Sequence, residues 1–137
     1  MSYSSFYARF YSRLEKIKDS FLEIFSYRSG VVYVILLSFY QLILWLEAFF
    51  IKKILSGKIV VLHYNIDFGI DLVAPAAYIY YYPLLALIVV FLNFILLMFF
   101  YKRKNLNVLI NYLLGGALLF SIILSLVLLS VYLINFR

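Results

Sequence analysis

The residues of this chain whose types and spacing could do chemistry are few, and four of them sit together: His63, Asn65, Asp67 and Asp71. In an extended segment, residues 63, 65 and 67 project to one face, so an imidazole, an amide and a carboxylate could meet one divalent cation. The spacing is not that of an EF-hand: counting from Asn65 the glycine falls at the fifth position, and no Glu follows at the twelfth. Asn and Asp in such a run more commonly close turns on their own backbone, and that is the reading the pattern favours. Asp67 and Asp71 have no implied groove to act as a glycosidase pair. Gly57-Lys58 lacks the upstream glycine and the following Ser or Thr of a phosphate-cradling loop, and a lone His gives no Ser-His-Asp geometry. Zero Cys removes disulfides, thiolate metal sites and cysteine nucleophiles together. The expectation is therefore a non-enzymatic chain without catalytic, metal or cofactor residues, in which His63, Asn65, Asp67 and Asp71 form a candidate ligand or partner loop.

A second set of polar residues lies inside long apolar runs. Glu47 is the only carboxylate in such a run; it either snorkels outward or pairs with Lys52 or Lys53, or it relays a proton or cation. Gln41 and Asn93 fall near the middle of two runs, and an interhelical hydrogen bond between them would satisfy two amides at ~0.6 to 2 kcal/mol. Ala117, Ser121 and Ser125 recur at four-residue steps and form a small face for close helix approach, which Gly115 and Gly116 extend.

These residues must be positioned by elements that the composition already constrains. The chain has 137 residues, is 67% hydrophobic and 13% charged, and has a mean hydropathy of +1.05. Too few charges remain to coat a water-facing surface, and so apolar a chain does not stay disordered. Three runs, 31–51, 83–101 and 108–134, are long enough as helices to cross a bilayer core, the last at ~40 Å with length to spare. Before them, Phe6, Phe10, Leu14, Ile17, Phe21, Ile24 and Phe25 recur at helical steps with Arg9, Arg13, Lys16, Asp19, Ser20 and Glu23 on other faces, predicting an amphipathic helix over 1–28. Its aromatic stripe and its tyrosines suit the headgroup layer. The charged region runs to Arg28 with no small-residue cleavage site close after the first apolar stretch, so the segment reads as retained rather than as a secretory signal. Ser29 and Gly30 supply the turn into the first span.

Twelve Lys and Arg oppose six Asp and Glu, and eight of the twelve lie in two blocks, residues 9–28 and 102–104. Cations that flank apolar runs read as membrane-surface charge and not as a nucleic-acid face. Three spans place both blocks on one side against Lys52, Lys53, Lys58 and Arg137 on the other, which predicts a cytoplasmic N-terminus and an extracytoplasmic C-terminus. The connection 52–82 then lies outside; Ile59 to Tyr64 suits a strand, Asn65 to Gly69 a turn and Ile70 to Val73 a return strand. A hairpin of that size is marginal alone and must lie on the membrane surface or the helix ends.

The stretch from Leu62 to Asp71, between a first span and a second opening near Pro83, resembles an extracytoplasmic loop of small bacterial membrane proteins. Among these is the domain of unknown function that accompanies the sporulation-delaying-toxin immunity family. The resemblance covers about residues 31–104 and implies a bacterial inner-membrane location, with immunity or signalling as a possibility. The expected protein is an all-α membrane protein: an interfacial helix (1–28) and a three-span domain (29–137) with a short extracytoplasmic β-hairpin-like loop. Its expected role is that of an accessory or interaction component in contact with the bilayer, a membrane-protein partner or a second copy. The alternatives are a toxin-immunity or signal-perceiving protein using the outer loop, and a small oligomeric channel or transporter using Glu47.

Overall fold

The computed structural model describes residues 3–65, 67 and 69–136, apart from the side chains of residues 3–6, 8, 9, 13, 64, 65 and 71. Four helices and one hairpin follow in the order α1 (Tyr3–Ser26), α2 (Arg28–Ile54), β1 (Ile59–Asn65), β2 (Gly69–Pro75), a 3-10 turn (Ala76–Tyr80), α3 (Tyr81–Phe100) and α4 (Leu106–Phe136). Three helical stretches, Arg28–Ile54, Ala76–Phe100 and Leu106–Phe136, are long and apolar enough to cross a membrane. The protein is thus a multi-pass helical membrane protein.

α2 and α4 extend a few residues past both ends of their apolar runs, whereas α3 starts just before its run and stops at Phe100, short of Tyr101. Between α1 and α2 the break is one residue, Tyr27, whose backbone is extended (φ −85°, ψ 128°). The expected turn at Ser29 and Gly30 is therefore corrected: both lie in the first turn of α2. Gly30 is needed there for closeness and not for flexibility, since a Cβ at that position would collide with the Ile24 carbonyl.

α4 is the spine, and α2 and α3 both pack mainly on it. At ~46 Å it exceeds a hydrocarbon core of ~30 Å, which requires it to tilt or to protrude. Two apolar clusters fill the bundle. One, at the hairpin end, joins Leu44, Ala48, Leu124, Leu128 and Val131 of the helices to Val60, Leu62 and Ile79. The other, at the opposite end, joins Leu37, Leu97, Ile110 and Leu114 to Ile24 of α1. The sequence predicts α1 in the interface; the structure folds its C-terminal half onto the bundle. Phe21 and Phe25 lie 5.8 and 6.4 Å from the Phe94 ring, and Ser20 is buried with its hydroxyl donating to the Ile17 carbonyl at 2.8 Å. Because α1 and the 101–105 loop sit at one end, both cationic blocks share that end; Ser29 Oγ donates to Asn107 Oδ1 there at 2.6 Å.

Candidate functional site

The polar residues of the spans are used for packing, though not in the expected pairs. Ser125 Oγ donates to Glu47 Oε1 at 2.7 Å, joining α2 to α4 inside the apolar layer. Glu47 Oε2 is buried with no hydrogen-bond partner. The expected pairing with Lys52 or Lys53 is thus corrected. Glu47 turns inward because its position on α2 lies one turn from Leu44 and Ile51 and beside Ala48, all buried against α4.

The Gln41 and Asn93 pair does not form. Gln41 Nε2 donates to the Pro83 carbonyl at 2.8 Å, and Asn93 Nδ2 donates to the Val89 carbonyl of its own helix at 2.8 Å. Gln41 Oε1 is buried without a partner. The reason is antiparallel depth: α2 enters from the α1 end and α3 from the hairpin end, so Gln41 stands beside the start of α3 and not its middle.

The small-residue face on α4 is internal. Ala117 and Ser121 are buried, the Ser121 hydroxyl donates to the Ala117 carbonyl at 2.9 Å, and Ser125 reaches Glu47. Gly115 does not extend this face, standing about 160° around α4 from Ala117, but it is packed as well, with Tyr33 of α2 lying over it: a Cβ there would stand 3.2 Å from the Tyr33 hydroxyl. Gly116 does not belong to the face either; it is exposed with open space around its Cβ position. A 100° step per residue turns it away from the face that Gly115 occupies.

The outer loop forms the expected hairpin with a less regular register. Ile59 pairs with Pro75 and Val61 with Val73, but His63 pairs with Leu72 and Tyr64 with Ile70. Leu62 and Asp71 are therefore extra residues on their strands, a pair of bulges that cancel. The alternation that would bring 63, 65 and 67 to one face is interrupted at His63, and Asp67 lies in the turn beyond β1. His63 and Asp67 are exposed. The Asn65 and Asp71 side chains, and Ile66, Phe68 and Arg137, lie outside the described residues. Among the described residues no group of three or more His, Cys, Asp or Glu could hold a metal ion. Gly69 closes the turn at φ +78°, a left-handed conformation open to glycine without strain.

Sequence reasoning missed two residues that mount this hairpin. Asn135, in the last turn of α4, accepts from the Val61 N–H through Oδ1 at 2.8 Å and donates through Nδ2 to the Val61 carbonyl at 2.8 Å. Its side-chain amide thus acts as a neighbouring strand for β1, while Nδ2 also reaches the Val131 carbonyl at 2.7 Å. Tyr82 donates its hydroxyl to the carbonyl of Leu62, the bulged residue, at 3.0 Å. A signal existed in the primary structure: Asn135 is an amide at the end of an apolar helix that is longer than a bilayer requires.

No family model matches the chain, and no curated protein or solved structure matches it.

Proposed function

We propose that this chain is a non-enzymatic interaction component of a cell membrane, with the hairpin as its contact surface outside the bilayer. The observation that carries the reading is a hairpin held on the helix ends by Asn135 and Tyr82 that nevertheless turns apolar side chains outward. Ile59 is 76% exposed, and Ile70, Leu72 and Val73 are more than half exposed. Single exposed apolar residues are ordinary, but a cluster on one rigid two-stranded mount is a feature of contact sites. The bond from Ser125 Oγ to Glu47 Oε1 supports the same reading over transport, since it uses these residues to join α2 to α4.

In this reading the end that carries α1 and the 102–104 cations faces the cytoplasm, and the hairpin and the C-terminus face outward. A photo-reactive amino acid at Ile59 or Leu72, activated in native membranes, tests the role. A discrete protein adduct that Ile59→Asp abolishes is expected, and two differently tagged copies distinguish self-association from a separate partner. Adducts to lipid alone would refute the proposal.

A further inference from the structure

We propose that the crevice between the last turn of α3 and the first turns of α4 binds an anionic phospholipid, with the lipid phosphate against Lys102, Arg103 and Lys104 and an acyl chain along α4. The crevice has a volume of about 730 Å³, and its two ends differ in chemistry. The rim carries the three cations, all exposed. Two of them lie over aromatic rings, Lys102 Nζ 5.5 Å from the Tyr101 centroid and the Arg103 guanidinium 5.9 Å from that of Phe100, which restrains long side chains beside the apolar wall. That wall is formed by Val108, Leu109 and Tyr112, with Val108 and Tyr112 one helical turn apart and exposed along α4.

Charge complementarity selects the occupant. No carboxylate is among the described residues lining the crevice, and the N-terminal end of α4, with its partial positive charge, points to the same place. The opposing carbonyl end of α3 is partly engaged, since the Phe100 carbonyl accepts from the Arg103 N–H at 2.9 Å. A soluble phosphate would use the rim and leave the apolar wall uncovered, whereas a phospholipid satisfies both. Near an anionic surface each cation contributes roughly fivefold in affinity, so the three together are worth on the order of a hundredfold at low salt.

The test uses the purified full chain in neutral detergent, with lipid retention followed by native mass spectrometry against phosphatidylglycerol, phosphatidylcholine of the same acyl chains, and glycerol phosphate. Phosphatidylglycerol is expected to bind at least about tenfold tighter than either of the others. The triple variant Lys102→Gln, Arg103→Gln, Lys104→Gln is expected to abolish that preference. A matched triple at the other end, Lys52→Gln, Lys53→Gln, Lys58→Gln, is expected to preserve it. Val108→Trp keeps every charge, sits at a half-exposed position and fills the wall, so it separates a crevice from diffuse surface charge; it is expected to weaken binding about tenfold with helix content by circular dichroism unchanged. Equal retention of phosphatidylcholine, equally tight glycerol phosphate, an equal loss in both triple variants, or full binding by Val108→Trp would overturn the proposal.

Discussion

Replacing Asn135 by leucine probes how the hairpin is mounted, because it keeps side-chain bulk while removing both polar atoms that meet Val61. The Val61 N–H and carbonyl point away from β2 toward α4, so β2 cannot take over either bond. An unpaired, fully buried backbone group costs ~1 to 3 kcal/mol, and Val61 is only partly buried, so about 1 kcal/mol each, or ~2 together, is the appropriate scale. That corresponds to roughly a thirtyfold change in an opening equilibrium. Hydrogen exchange in micelles or nanodiscs reads it directly: in Asn135→Leu the Val61 amide should exchange about thirtyfold faster, with amides near Leu124 in mid-α4 unchanged. Asn135→Asp keeps an acceptor for the Val61 N–H but loses the donor to the Val61 carbonyl, and should fall between the two. Val61 exchange within a factor of two of the original in Asn135→Leu would refute the claim that this amide substitutes for a strand.

Three further outcomes follow from the packing. A double-mutant cycle over Glu47→Leu and Ser125→Ala should give a coupling of ~0.6 to 2 kcal/mol in detergent unfolding, and a coupling near zero would remove the α2–α4 bond as a stabilising contact. Gly30→Ala places a methyl group against the Ile24 carbonyl and should cost ~1 to 3 kcal/mol while moving α1 off α3; cysteines at positions 21 and 94, in a chain with none of its own, should then cross-link less with a short bis-maleimide. Gln41→Leu should cost under ~1 kcal/mol in the same unfolding assay, because the lost bond to the Pro83 carbonyl is offset by removing the buried, unpartnered Oε1.

The three spans were legible because the bilayer imposes one requirement, an uninterrupted apolar run: 31–51 and 108–134 lie within the observed helical stretches, and 83–101 does so but for Tyr101. The hairpin was legible for a similar local reason: β-branched residues alternate with a turn that ends in Gly69. What the residues alone did not disclose is rotation and depth. Whether Glu47 points at Ser125 or at a lysine depends on which face of α2 meets α4, and an almost uniformly apolar helix carries little periodicity to say so. The misassigned Gln41 and Asn93 pair has the same origin, as do Gly115 and Gly116, which stand off the face of Ala117. The bulge at Leu62 places its carbonyl against the hydroxyl of Tyr82, a partner outside the hairpin.

Three membrane-crossing helices place the hairpin at one face and the 101–105 loop at the other. Single cysteines at Ile59 and Lys104, labelled with a membrane-impermeant maleimide in sealed vesicles of one orientation, test this arrangement most directly. One of the two is expected to react before the vesicles are opened and the other only afterwards. Reaction of both from the same side, or a chain that remains monomeric in buffer without lipid or detergent, would contradict it.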